Sequence, residues 1–210
     1  MRQNTELENE ERLNTISHGV GFVLAILGMI LLLLQNSKKS HFSTVSIVVY
    51  SLTLISMFGV STLYHYSKNP ILKKKLRIVD HINIYFLIAG TYTPVALITL
   101  ISGNGWLILY VVWAFAIFGT FFKIYYTGKF EFLSLLLYAI MGWLIVIDID
   151  NLSNSLPKLG MYLLWLGGAF YTIGIIFYAI RRIPNNHFIW HLFVIGGAIS
   201  HWLMIYWAVV

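Results

Sequence analysis

Two histidines lie one helical turn apart near the end of the chain, in the segment His187-Phe188-Ile189-Trp190-His191. Residues four positions apart share one face of an α-helix, so both imidazoles can bind a single ion. The pair begins an apolar run that continues to Val210. Ionisable groups in such a run are costly and are therefore functional candidates. The alternatives are core histidines bonded to the backbone, or an interfacial pair near lipid headgroups.

The composition identifies the class of protein that must position these histidines. Hydrophobic residues make up 59% of the 210 residues, charged residues make up 10%, and cysteine is absent. Such a chain is too apolar for a soluble domain and predicts a polytopic helical membrane protein. Without thiolates, a transition-metal site must use His, Asp, Glu and water. The net charge of +6 does not indicate nucleic-acid binding, because the cations lie in short segments between apolar runs.

The apolar runs predict an all-α fold, a bundle of seven transmembrane helices that forms a single domain over residues 16–210, after a short polar tail at 1–15. We expect Pro70 and the cationic run 73–77 to break the chain between the second and third spans. A kink is expected at Pro94, and a polar loop at 150–158. The predicted spans are 16–34, 42–65, 78–101, 106–126, 130–149, 159–180 and 187–209.

The distribution of Lys and Arg predicts the orientation in the membrane. Three cations lie on one side, and eleven lie on the side that holds the N-terminus and the loops after spans two, four and six. The positive-inside rule therefore predicts a cytoplasmic N-terminus and an extracellular C-terminus. The three are Lys38, Lys39 and Lys158, and the eleven are Arg2, Arg12, Lys68, Lys73, Lys74, Lys75, Arg77, Lys123, Lys129, Arg181 and Arg182.

This topology brings four candidate groups to one depth. His65 ends span two, Asp80 begins span three, and His187 and His191 begin span seven, all at the cytoplasmic ends. Asp80 is the only carboxylate that we expect near the histidines. Three imidazoles with a fourth position for water are the arrangement of a catalytic zinc site. Asp80 has alternatives, since it is also placed to bind the metal directly, to cap the start of span three, or to pair with Arg77.

The chain contains several distinctive motifs, which are Asn14-Thr15-Ile16-Ser17-His18-Gly19, Ser61-Thr62-Leu63-Tyr64-His65, Asp80 within Arg77-Ile78-Val79-Asp80-His81, Ala89-Gly90-Thr91-Tyr92-Thr93-Pro94, and His187-x-x-x-His191 with His201. Together they resemble the progestin and adipoQ receptor superfamily, in particular its bacterial hemolysin III branch. The resemblance implies a receptor-like seven-helix bundle in the bacterial plasma membrane, with zinc near the cytoplasmic face.

The resemblance also implies roles for individual residues. It makes His65, His187 and His191 the zinc ligands, Asp80 the catalytic partner of the water on the zinc, and Ser61 a supporting group one turn from His65. The other histidines have expected roles outside the ligand set. His18 either supports the site or solvates a helix start, and His81 is expected at the membrane interface. His201 lies some 20 Å deeper, and is expected to bond within the bundle or to line a cavity.

Two functions follow from the resemblance. The first is a zinc-dependent, ceramidase-like hydrolase that cleaves an amide or ester of a lipid-like substrate in the bundle interior. The second is a non-enzymatic membrane protein, receptor-like or cytolytic, in which zinc only ties helices together. Both place the protein among membrane lipids.

Overall fold

The computed structural model describes residues 2–180 and 182–210, which form a bundle of helices. Seven helical stretches in this part of the chain are long and apolar enough to cross a membrane, which confirms the predicted all-α, multi-pass architecture. The α-helices are Arg2–Gln35 (α1), Ser43–Tyr66 (α2), Pro70–Pro94 (α3), Gly105–Tyr126 (α4), Glu131–Trp143 (α5), Ile149–Ser155 (α6), Lys158–Ala179 (α7) and Asn186–Met204 (α8).

The start of α1 differs from the expectation of a polar tail. Residues 2–15 continue the helix of the first span, and the apolar stretch begins at Leu7. Glutamate is a good helix former, so a Glu-rich segment extends an apolar helix readily. This extension brings Glu10 and Glu11 alongside α8, α2 and α3.

The predicted break between the second and third spans is confirmed at residues 67–69, whereas the part of the prediction that placed the cationic run in the break is wrong. Pro70 is the first residue of α3, and the run 73–77 lies in the helix after it. Proline is tolerated there because the first amides of a helix lack partners. The Oδ1 atom of Asn69 caps the helix, accepting hydrogen bonds from the amides of Ile71 at 3.0 Å and Leu72 at 3.1 Å.

The third span is the centre of the bundle. Its apolar window is 72% buried, whereas no other span exceeds 44%. The distortion expected at Pro94 takes the form of a π-helical segment, Val95–Thr99. A π-turn accommodates the missing amide donor and crowded ring of proline. The central position of α3 lets its residues face several neighbouring helices at once.

The predicted polar loop at 150–158 is also wrong. A 3₁₀ segment, Leu144–Asp148, leads from α5 directly into α6. Oδ1 of Asp148 accepts hydrogen bonds from Asn104 at 2.8 Å and Asn151 at 2.6 Å. The side-chain amides thus bind one oxygen of the carboxylate at the point where the helix type changes.

Because consecutive spans alternate in direction, one side of the bundle collects the starts of α1, α3, α5 and α8 and the ends of α2, α4 and α7. We call this side the histidine end, since His65, His187 and His191 all lie there. α8 continues on the opposite side as a second π-helical segment, Ile205–Val209.

Candidate metal centre

Three histidines from two helices meet at the histidine end. One ligand atom from each of His65, His187 and His191 lies within 4.8 Å of the others. Their ring centroids are 5.1 Å apart for His65 and His187, 4.9 Å for His65 and His191, and 4.8 Å for His187 and His191. We call this group the histidine triad. The structure therefore brings together the three predicted ligands as a group that could hold a metal ion.

The two ring nitrogens of His65 have different environments, which tests whether the triad fits a metal. Nδ1 is 3.0 Å from Oε2 of Glu11, and Nε2 is buried with no hydrogen-bond partner among the described residues. A proton on Nδ1 donates to Glu11 and leaves the lone pair of Nε2 free. A buried polar nitrogen without a partner is costly, and coordination of an ion removes that cost. The donor set fits a metal ion.

Glu11 is a site residue that the sequence analysis missed. Besides bonding to His65, its Oε2 atom accepts a hydrogen bond from Nζ of Lys73 at 2.8 Å. The expectation that Asp80 is the only carboxylate near the histidines is therefore wrong. The signal was present as a polar stripe, because Glu11, Asn14 and His18 have the i, i+3, i+7 spacing of one helical face. Asn14 and His18 are both buried.

The N-terminal helix makes two more approaches to the triad. The carboxylate of Glu10 accepts a hydrogen bond from the main-chain amide of His187 at 3.1 Å. The Oγ atom of Ser17 lies 3.4 Å from Nδ1 of His191, and His191 also donates to the main-chain carbonyl of Asn14. All of these contacts reach the imidazoles or their backbone from the α1 side.

His18 lies directly against the triad. Its ring stacks on that of His191, with centroids 3.6 Å apart and an interplanar angle of 10°. Both of its ring nitrogens are buried without hydrogen-bond partners in the described part of the chain. Of the two alternatives for His18, the structure favours a residue of the site, because a residue that solvates a helix start would be exposed.

Asp80 and Ser61 lie beside the triad and do not belong to its ligand cluster. The hydroxyl of Ser61 bonds to the Asp80 carboxylate, and Ser61 is buried. Asp80 is not the cap of its helix, since α3 begins at Pro70. The nearest ion pair of Arg77 is with Glu131, at 3.5 Å. Asp80 is therefore neither the cap of the third span nor the ion-pair partner of Arg77, and its role toward a metal remains a prediction.

A cavity of about 130 Å³ extends from the triad into the bundle. Asp80 and Ser61 line it near the triad, and His201 lines it farther along α8. Nε2 of His201 donates a hydrogen bond to the carbonyl of Leu164 at 3.3 Å, so the predicted role of His201 within the bundle is confirmed. His81 also lines the cavity and is only 7% exposed. Its predicted interfacial position is wrong, because the earlier start of α3 carries it inward.

Comparisons with known proteins agree with this arrangement. Residues 7–202 match the family described as Haemolysin-III related. The chain is 43% identical to Hemolysin-3 of Bacillus cereus over 199 residues, covering 94% of this chain and 91% of that protein. It is 40% identical to the Hemolysin-3 homolog of Bacillus subtilis (strain 168) over 190 residues, covering 90% and 89% of the two chains.

A more distant similarity reaches animals. The Monocyte to macrophage differentiation factor of Homo sapiens is 28% identical over 205 residues, which cover 94% of this chain and 83% of that protein. The family match covers residues 7–202, a range that contains the three positions of the triad. The resemblance inferred from the motifs is confirmed, and the chain belongs to the haemolysin-III-related family of multi-pass membrane proteins.

Proposed function

We propose that this protein is a zinc-dependent hydrolase that cleaves an amide or ester bond of a lipid. The observation that supports this proposal best is a buried histidine triad that borders a cavity, with the carboxylate of Asp80 beside it. Three imidazole ligands with room for a further group are typical of catalytic zinc, whereas structural zinc has four protein ligands. The apolar remainder of the cavity suits an acyl chain.

His65, His187 and His191 would hold the zinc, and Glu11 would orient His65. Zinc bound there would supply a Lewis acid, which lowers the pKa of a water molecule toward ~7 and polarises a carbonyl oxygen. Asp80 accepts the proton of the attacking water and returns it to the departing amine or alcohol. Ser61 holds the carboxylate in place by donating its hydroxyl proton. His18 restrains His191 by stacking on its ring.

The lining of the cavity supports a substrate that comes from the membrane. Gly142 and Trp143 of α5 and Thr172 of α7 line the cavity and are also exposed on the outside of the bundle. The indole Nε1 of Trp143 donates to the hydroxyl of Thr172 at 3.0 Å across the two helices. An acyl chain entering between α5 and α7 would reach the cavity without crossing water.

We propose further that the histidine end faces the cytoplasm, as the cation distribution predicts. The test uses the absence of cysteine from the natural chain. A cysteine placed at Gln3 should be shielded from an impermeant thiol reagent in intact cells, and one added after Val210 should be labelled. Labelling with the opposite pattern would overturn the orientation.

The hydrolase proposal is tested with purified protein in detergent and a panel of acyl-amide and acyl-ester lipids. We expect hydrolysis of at least one lipid, its loss on chelation, and its return on adding zinc. Hydrolysis that is indifferent to chelation would contradict the proposal. If the zinc-loaded protein cleaves no lipid in the panel, and chelation lowers its melting temperature, the result favours zinc that only ties the helices together.

A further inference from the structure

A second charged group lies in the same cavity, on the wall formed by α4 and α5. Lys123 near the end of α4 is fully buried, and its Nζ atom is 3.2 Å from Oε2 of Glu131 at the start of α5. Both residues line the cavity, together with His81 of the central helix α3. Neither residue takes part in the triad or in the proposed hydrolysis, so their presence needs its own explanation.

Glu131 does not belong to Lys123 alone. Its other oxygen, Oε1, accepts a hydrogen bond from the main-chain amide of Gly128 at 3.1 Å and lies 3.5 Å from a guanidinium nitrogen of Arg77. One carboxylate therefore serves two cations, and the cluster of Arg77, Lys123 and Glu131 has an excess of one positive charge. The side chain of Arg77 is 41% exposed, so water offsets part of its charge. The side chain of Lys123 is fully buried, so its charge has no such contact with bulk water.

Lys123 also has donors to spare. An ammonium group has three N–H donors, and Glu131 is its one side-chain partner among the residues that the structure describes. Burying a charge without full pairing is costly, so the excess favours an anion in the adjoining cavity. The rest of the cavity wall is mainly apolar, with residues such as Leu87, Ile88 and Val194.

We propose that Lys123 binds the anionic group of an amphiphile, a carboxylate or phosphate, whose acyl chain occupies the apolar part of the cavity. This inference deepens the proposed function by naming the substrate class, and it rests on that function for the view that the bound amphiphile is a substrate. The anion site itself requires no metal, since Lys123 belongs to a different wall of the cavity from the triad.

The test compares two probes with the same chain and amide, N-dodecanoylglycine, which is anionic, and N-dodecanoylethanolamide, which is neutral. Binding is measured by equilibrium dialysis to zinc-free protein in phosphatidylcholine nanodiscs, with binding to empty nanodiscs subtracted. Charge-assisted hydrogen bonds are roughly twice as strong as neutral ones, so we expect about tenfold tighter binding of the anionic probe. Equal binding of the two probes would overturn the proposal.

Variants identify the residue responsible for the preference for the anionic probe over the neutral one. Lys123→Met removes the ammonium group but keeps an unbranched chain of nearly the same length, so it should abolish the preference, and Lys123→Arg should keep most of it. Glu131→Gln covers the case in which Lys123→Met fails to fold, because it removes the anion that competes for Lys123. It should raise the preference several-fold, by about the strength of one charge-assisted bond. A preference that survives Lys123→Met, or fails to rise in Glu131→Gln, contradicts the assignment.

Two further comparisons distinguish an amphiphile from a free anion, and the Lys123 site from the proposed hydrolase. Dodecyl phosphate should displace the anionic probe, and inorganic phosphate at the same concentration should not, because it lacks a chain to fill the cavity. Equal displacement by both would exclude an amphiphile as the occupant. An anion preference without hydrolysis of any lipid would refute the hydrolase alone, and zinc-dependent hydrolysis without an anion preference would refute the Lys123 site alone.

Discussion

The histidine triad has two contrasting sides. On the α1 side, Glu11 bonds to the back of His65, and Ser17 approaches the back of His191. On the cavity side, Asp80 and Ser61 bond to each other and stay apart from the ligand cluster. The α1 side therefore contacts the histidines of the triad themselves, whereas the cavity side presents groups to the space beside them.

This difference suggests that affinity and reactivity are located on different helices. Partners of metal-binding histidines fix the orientation of the ring and raise its basicity, so they control how tightly the metal is held. A carboxylate that does not bind the metal is available for proton transfer. We therefore expect substitutions on the two sides to affect different measurements.

The largest effect is expected on the cavity side. Asp80→Asn keeps the size of the side chain but cannot accept a proton, and loss of a positioned base costs about 10²- to 10⁴-fold in rate. Zinc content should stay close to that of the wild type, because Asp80 lies outside the ligand cluster. Turnover and zinc are measured on the same samples.

The matched control for Asp80 is Asp148→Asn. Asp148 is also buried, but its carboxylate bonds to Asn104 and Asn151, away from the triad. This variant should keep its activity. If Asp80→Asn loses zinc and turnover together, Asp80 is a metal ligand and the contrast between the two sides fails.

The α1 side should show the opposite pattern. Glu11→Gln weakens the hydrogen bond to His65, and loss of such an outer partner typically lowers metal affinity about 10- to 100-fold. Turnover at saturating zinc should fall far less than in Asp80→Asn. Lys73→Met keeps Glu11 and removes only its second partner, so its loss of affinity should be smaller. Titration with a competing chelator measures the zinc affinity of the wild type, Glu11→Gln and Lys73→Met. An unchanged zinc affinity in Glu11→Gln would refute the role of Glu11.

A smaller effect is expected at the far wall of the cavity, where α7 packs on His201. A Cβ atom at Gly167 would overlap the imidazole ring of His201, whereas a Cβ at Gly142 would meet nothing within 4 Å. Gly167→Ala should lower stability by about 1–3 kcal/mol through overpacking. Gly142→Ala should leave it unchanged or raise it by up to about 1 kcal/mol. Thermal unfolding measures both, and equal melting temperatures would contradict the close packing.

Much of the triad could be predicted from the sequence. The one-turn spacing of His187 and His191 and the alternation of the spans put these residues at the same depth as His65 and Asp80. Helix starts were predicted less well, because Asn69 and Pro70 were interpreted as a break although they are also a capping residue and a favoured first residue. The sequence therefore contained the signal for a helix that starts at Pro70, but the proline was interpreted only as a helix breaker.

Contacts between distant segments explain the remaining errors. Glu11 meets His65 only because α1 continues beyond its apolar stretch, and a local pattern does not show which helix end will lie beside it. Lys123 was interpreted as a loop cation, whereas tertiary packing turns it and its partner Glu131 toward the cavity. The contact of Glu11 with His65, which joins residues 54 positions apart, follows from the three-dimensional arrangement of the helices.

The most direct test of the account is the metal content of the purified wild type and of two histidine variants of α8. His191→Ala removes a member of the triad, and His201→Ala removes a buried histidine of the same helix that lies outside it. We expect about one zinc per chain, as in three-histidine catalytic sites, in the wild type and in His201→Ala, and loss of zinc in His191→Ala. Elemental analysis that finds the same zinc content in His191→Ala as in the wild type would contradict the histidine triad as the metal centre.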